Sequence, residues 1–302
     1  MTQKLTMHGH AARIRNELRL DRNRTDKLLL HRLERCAVDW HGRYRCGSPA
    51  CVRCRYINIR HQQRGTVEML GHFTNRELAW VTVVLGATTD VRGVTTLIEK
   101  SRRDTKNRFV AARAKDQRWN DTYFRGWHEI DAVGPEHMPL LPPNRRELIP
   151  ALAPMAAGSL TPTWLPTFHG LLVVNGLSVE EVADELRCQW QLPHQVHVAP
   201  LDPMKALRAN LEKLTSYANK FHCSISLMDG LSEQWPIHWQ TQFFGWLHDG
   251  KRNPYEGLRM SINQANPKQE LEVCRAVEAV SPMPFIHSFS GLPMQNNTGA
   301  SA

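Results

Sequence analysis

The sequence predicts an α+β protein with a cysteine-rich segment in front of its core, on three observations. Short β-branched apolar runs end in glycine, as in Trp80-Val81-Thr82-Val83-Val84-Leu85-Gly86; longer segments between them keep helical spacing; and Cys, Gly, Pro, Arg and Tyr displace both patterns from Cys36 to Cys54. The chain of 302 residues exceeds the usual domain of roughly 100 to 200, so a sizeable core with a smaller attached module is expected. The expected divisions are a basic helical and cysteine-rich segment at 1–70, a core domain at 75–230 with a proline-rich insertion at 134–163, and a C-terminal extension at 231–302.

Ile14, Leu18, Leu28, Leu29 and Leu33 fall near helical spacing among arginines and predict one or two basic helices. The knuckle at Cys36 to Cys54 follows, then a helix from Arg55 to Leu70. Trp80 to Leu85 predicts a buried strand, and Val91 to Trp119 a long basic helix. Phe124 to Val133 predicts a second strand, stopped by Gly134-Pro135. Seven prolines between 135 and 163 predict an irregular excursion. Trp164 to Val174 predicts a third strand, closed by Asn175-Gly176. Ser178 then opens a helix as N-cap, with Glu181 three residues on as its capping-box partner, running to about Trp190. Gln195 to Ala199 predicts a fourth strand, and Asp202-Pro203 starts a helix to about Phe221. An aromatic segment from Trp235 to Trp246 precedes a Pro/Asn/Ser/Gly-rich end, from about Ser281, that is expected to be disordered.

Charge is distributed unevenly. Residues 1–118 carry 25 Lys and Arg against 11 Asp and Glu, a net of +14; residues 119–302 carry 13 against 18, a net of −5, which together give the chain's +9. A basic half of this kind suits an anionic polymer, DNA or RNA, without specifying its sequence. No uncharged apolar run of about 18 residues is present to cross a bilayer. Met1 to His10 lack the apolar core of a secretory signal, so the expected compartment is the cytoplasm, and the seven cysteines are expected as thiols or metal ligands.

Four constellations carry chemistry. Cys46, Cys51 and Cys54, with Cys36 ten residues upstream, match the ligand set of a tetrahedral structural zinc site, with His41 or His61 as an alternative to Cys36. Such a site would present Arg43, Arg45, Arg53 and Arg55 to phosphates. On the second strand, Trp127-His128-Glu129-Ile130-Asp131 places Glu129 and Asp131 on one face; such a pair either faces water or helps hold a hard divalent cation. On the third strand Thr167 and His169 share a face, and of the two only His169 is a good ligand. On the last core helix Lys213, Tyr217 and Lys220 share a face; this is either a partly buried tyrosine among solvated lysines or a phenol whose ionised form the lysines favour. Cys188, Cys223 and Cys274 sit in apolar settings and are expected in the core.

In order, these signals resemble the rolling-circle replication initiators of plasmids and phages, a branch of the His-hydrophobic-His endonucleases. Cys46, Cys51 and Cys54 approximate that family's Cys…Cys-Pro-x-Cys, with Val52 for the proline. Trp80-Val-Thr-Val-Val-Leu is similar to its first apolar motif, and Glu129 to its acidic third ligand. Leu165-Pro-Thr-Phe-His-Gly-Leu-Leu follows the His-Pro-His-hydrophobe-His-x-Leu-Leu pattern at Pro166, Phe168, His169, Leu171 and Leu172, and departs from it at Thr167, where the first metal histidine stands. Tyr217-Ala-Asn-Lys220 is similar to the Tyr-x-x-Lys nucleophile motif. The resemblance spans about residues 36 to 222 and leaves the proline-rich excursion without a counterpart.

The resemblance implies an antiparallel sheet flanked by helices, and a tyrosine transesterase that nicks and religates one strand of single-stranded or melted origin DNA. Tyr217 would be the nucleophile and Lys220 the phosphate-orienting group, with magnesium or manganese at His169 and Glu129, Asp131 assisting. Arg102, Arg103, Lys106 and Lys213 are expected on DNA together with the knuckle arginines, and host replication proteins are possible partners. Two alternatives stand beside it: a DNA-binding replication or regulatory protein of the same fold without nicking, and a zinc-stabilised RNA-binding protein.

Overall fold

The computed structural model describes residues 52–153, 161–219, 224–236 and 287–290, and the single positions 31, 35, 36, 238, 239, 242, 243 and 246. In chain order the elements are α1 (Val52–Leu70), β1 (Leu78–Val84), α2 (Gly93–Lys115), β2 (Tyr123–Val133), α3 (Pro143–Leu152), β3 (Thr163–Val173), α4 (Val179–Arg187), β4 (Val196–Pro200), α5 (Leu207–Ala218), β5 (Ser224–Ser226), β6 (Ser232–Gln234) and β7 (His287–Ser290). The architecture is α+β.

Strands β4, β1, β3 and β2 lie side by side in that order, every neighbouring pair antiparallel, with β7 added on the outer edge of β2. Alternation along each strand gives the sheet two faces with different covers. On one face, Phe124, Phe168, Val81 and Val83 meet Val94, Ile98, Phe109 and Ala112 of α2, with α4 alongside. Here Gly126 and Gly170 face one another across β2 and β3. A methyl group at Gly170 would stand 2.6 Å from the Phe124 ring and 2.9 Å from that of Phe168, so the missing side chains make room for these rings.

On the other face, Leu78, Trp127, Leu171 and Val173 meet Leu70 of α1 and Leu211 and Ala218 of α5. Those two helices run antiparallel. Asn75, just beyond the end of α1, hydrogen-bonds the carbonyls of Asp202 and Lys205 before α5 starts, while Gln63, two turns earlier, donates to the Glu212 carbonyl and the Ser216 hydroxyl.

The expected order of strands and helices is present, with differences of detail. The helix foreseen from Val91 to Trp119 stops at Lys115, where Asp116 accepts from the Arg118 N–H and a 3-10 turn follows. Helix α4 ends at Arg187, short of Trp190, although its Ser178/Glu181 capping box forms in full. Helix α5 begins at Leu207 and ends at Ala218, because Asp202 spends its carboxylate on the Met204 N–H and the Lys205 ammonium in a turn that precedes the helix. The described part of the excursion is not irregular: it holds a 3-10 helix, Pro135–Leu140, and α3, whose Leu148 and Ile149 are buried. Cys188 is exposed and not part of the core. Residues 287–290 form a strand inside the segment expected to be disordered. Trp235, Trp239 and Phe243 pack into the core, with Trp164 set edge-on to Trp235 and stacked on Phe243. Apart from His31, the expected helices before Arg35 lie outside the described residues, as do most of the cysteine knuckle, Cys223 and Cys274.

Candidate functional site

Strand register gathers the candidate residues onto the face covered by α1 and α5. Thr82 of β1 and Trp127 of β2 pair across His169 of β3, and Glu129 pairs with Thr167, so Thr82, Glu129, Asp131, Thr167 and His169 all project one way. His169 is 3% exposed. Its Nδ1 stands 3.0 Å from the Thr82 hydroxyl and its Nε2 2.9 Å from Glu129 Oε2, while Trp80 stacks nearly parallel to the ring at a 12° tilt. With the Thr82 hydroxyl donating to Nδ1, the Nε2–H donates to the carboxylate, and both ring nitrogens are satisfied. Thr82 was visible in the sequence only as part of a strand pattern; its role follows from register.

Tyr217 comes to the same place from α5. Leu211 and Ala218 hold the inner side of that helix against Leu171 and Val173, which turns Tyr217 toward the sheet at the edge of the contact, 44% exposed. Its ring meets His169 edge-on at 5.4 Å between centroids and Trp80 at 6.3 Å. Partial burial pushes its phenol above the ordinary tyrosine value; the charges of Glu129 and then Asp131 push the same way, and that of Arg145 opposes them. Lys213, one turn earlier on α5, is exposed. Lys220 lies outside the described residues.

Two arginines complete the site. Arg145, delivered by α3, places Nη2 2.7 Å from Asp131 Oδ2, each side chain about a quarter exposed at 25% and 24%. Arg125, two residues before Trp127 on the same face of β2, is 5% exposed. It donates to the Thr66 hydroxyl and to Gln62 Oε1 of α1, which also accepts from Trp127 Nε1. This polar seam fixes α1 on the sheet beside the site. Neither arginine was singled out in the sequence, since Arg125 breaks an apolar strand pattern only once and Arg145 sits in a segment without periodicity.

The other candidates divide. Arg102, Arg103 and Lys106 lie on α2, which covers the opposite face of the sheet from His169, so they do not join Tyr217. Arg60 and Arg64, exposed on α1, and Lys213 on α5 are cations of the two helices that cover the His169 face. Arg53 and Arg55 fall in the first turn of α1; Arg43, Arg45, Cys46 and Cys51 lie outside the described residues. Cys36 and Cys54 come together, their sulfurs 3.8 Å apart. Two thiolates on one tetrahedral zinc, at about 2.3 Å from the ion, are separated by about 3.8 Å.

Among the described residues no three His, Cys, Asp or Glu side chains are grouped to hold a metal ion. The pair His169 and Glu129 does fit two adjacent positions of a hard divalent ion: ligands about 2.1 Å from an octahedral magnesium stand about 3 Å apart at a right angle, close to the 2.9 Å between Nε2 and Oε2. Metal ligation by His169 requires the other tautomer, Nδ1–H donating to Thr82, which then fixes the ring. Asp131 is engaged by Arg145 and Thr167 offers only a hydroxyl, so the remaining positions would fall to water or phosphate oxygens.

Comparison with models of protein families, with curated proteins and with solved structures returns no match to this chain. Among the described residues no helix is long and apolar enough to cross a membrane.

Proposed function

We propose that this chain is a DNA strand transferase of the rolling-circle initiator type, with an endonuclease fold of the His-hydrophobic-His kind. The observation that carries the reading is the meeting of Tyr217 with His169 and Glu129, three residues from separate elements, on one face of an antiparallel sheet. The Tyr217 oxygen attacks the phosphorus of one phosphodiester. A tyrosine–phosphorus bond forms as the bond to the 3′-oxygen breaks, the phenol gives up its proton and the departing 3′-oxygen takes one up, leaving a 5′-phosphotyrosyl link and a free 3′-hydroxyl. Phosphodiester for phosphodiester, the exchange is near balance, so the reverse step religates.

Trp80 and Thr82 hold the His169 ring, and Tyr217 is half-exposed at the edge of the contact between α5 and the sheet. Lys220, in the Tyr-x-x-Lys motif, orients the phosphate. When bound at His169 and Glu129, magnesium or manganese supplies positive charge that polarises the phosphate and offsets the carboxylate. Structural zinc on Cys36, Cys46, Cys51 and Cys54 would fasten the segment before α1, and the 3.8 Å sulfur separation supports it.

A second reading, a DNA-binding initiator or regulator without nicking, is favoured by the surroundings of Tyr217: partial burial, and then the charges of Glu129 and Asp131, disfavour the phenolate that attack requires. The two separate on a denaturing gel after incubation with single-stranded origin DNA and manganese. The transferase gives a protein–DNA band that Tyr217→Phe abolishes; a band that persists in Tyr217→Phe assigns the wrong nucleophile, and absence of a band from the wild type favours binding alone.

A further inference from the structure

The carboxylates of Glu129 and Asp131 face the position that a phosphodiester must occupy to meet Tyr217, and a phosphate does not approach two carboxylates without a compensating cation. Asp131 already has one. Arg145 reaches it from α3, a helix of the excursion that joins β2 to β3, held in place by the buried Leu148 and Ile149 and started without strain by Pro143 in its first turn. Nothing in the sequence pattern of the excursion required an arginine to arrive there.

We propose that Arg145 is a phosphate-binding residue of this site and Asp131 the positioning residue that holds it. The proposal rests on the phosphodiester reading above and adds a residue to it. The contact between the two is monodentate, through Nη2, so the planar guanidinium fork keeps donors for a second anion. At about a quarter exposure the pair is shielded enough for charge to count, yet opens to solvent where a strand would enter. Asp131, which Arg145 grips, projects from the same face of the sheet as Glu129 and as His169, the residue that Tyr217 meets. Asp131, with Arg145 on it, thereby takes a different part from the metal ligand that its place beside Glu129 suggested.

The test uses the full chain carrying Tyr217→Phe, which binds but cannot link DNA, and a short labelled oligothymidylate. Fluorescence anisotropy gives its affinity across a range of salt concentrations. Adding Arg145→Gln should weaken binding about tenfold and make the slope of log affinity against log salt shallower by about 0.7, the loss of one single-strand phosphate contact. Arg145→Lys should keep the slope. Thermal unfolding reports whether each variant is folded; should the glutamine variant not fold, Arg145→Met retains the aliphatic stem and gives the same readout. An unchanged slope in a folded neutral variant overturns the proposal, and so does a parent that binds no oligonucleotide. If the slope shifts as expected while protein with Tyr217 intact forms no DNA adduct, the phosphate site stands and the transferase reading falls. If the adduct forms while the slope is insensitive to position 145, the transferase reading stands and the phosphate role of Arg145 falls.

Discussion

His169 makes two hydrogen bonds at once, and each constrains the other. If Thr82 donates to Nδ1 the imidazole presents a proton to Glu129; if Nδ1 donates to Thr82, Nε2 presents a lone pair beside a carboxylate, an arrangement that calls for a cation between them. Beside it, partial burial and then the charges of Glu129 and Asp131 raise the Tyr217 phenol, and Arg145 opposes them. Ultraviolet difference titration of wild type against Tyr217→Phe should isolate a phenol titrating above the free tyrosine value of about 10. That component should move down in Asp131→Asn and further up in Arg145→Gln; one at or below the free value contradicts the geometry. The sign for stability follows: a proton held more tightly in the folded state than in the unfolded chain contributes stability below the ordinary tyrosine value. That contribution is lost as pH rises through the folded one. At this scale strand alternation and helical spacing marked Glu129, Asp131, His169 and Tyr217 as candidates, and the family resemblance, with its Tyr-x-x-Lys motif, joined them into one site. Thr82 and Arg145 were not legible, because one depends on register with a distant strand and the other on how a proline-rich segment folds back.

Elements were legible where periodicity was strong. An apolar β-branched run marked β1, the stops at Gly134-Pro135 and Asn175-Gly176 closed β2 and β3, and Ser178 with Glu181 marked the start of α4 to the residue. The excursion misled because its prolines looked like breakers. Pro143 stands in the first turn of α3, where a missing N–H costs nothing, and Pro150 falls within its last turn. The pair Gly126 and Gly170 had no periodic signal either, yet makes room for the Phe124 and Phe168 rings on the sheet. A methyl at Gly126 would run into the Phe168 ring and stand 2.6 Å from the His169 carbonyl oxygen, so Gly126→Ala should destabilise the fold by about 1–3 kcal/mol by overpacking. Chemical denaturation checks this, and a neutral effect would mean that the glycine is not needed for the Phe124 and Phe168 rings to pack. The cysteine segment makes a separate prediction: purified protein should hold about one zinc per chain, lost in Cys54→Ser together with stability. A zinc-free protein of unchanged stability would contradict it.

For the whole molecule, the sheet separates two tasks. One face, under α2 and α4, is a packed hydrophobic interior whose outer basic helix carries Arg103 and Lys106 away from the site; the other, under α1 and α5, holds His169, Glu129, Asp131, Arg145 and Tyr217. Among the described residues the basic side chains of the first 118 are divided by the sheet, Arg60 and Arg64 on α1 and Arg103 and Lys106 on α2. On the proposed reading, a strand entering at Tyr217 would meet the α1 side, where Arg60 and Arg64 are exposed, and not α2. Charge counts along a chain do not reveal which side of a sheet each residue will occupy, and this part of the site had to come from the fold. The most direct test of the central claim is peptide mapping by mass spectrometry after reaction with single-stranded origin DNA and manganese, followed by nuclease trimming. The expected result is a nucleotide phosphate attached to the peptide containing Tyr217 and absent from Tyr217→Phe; attachment at another residue, or an unmodified Tyr217 peptide after complete turnover of the DNA, would contradict it.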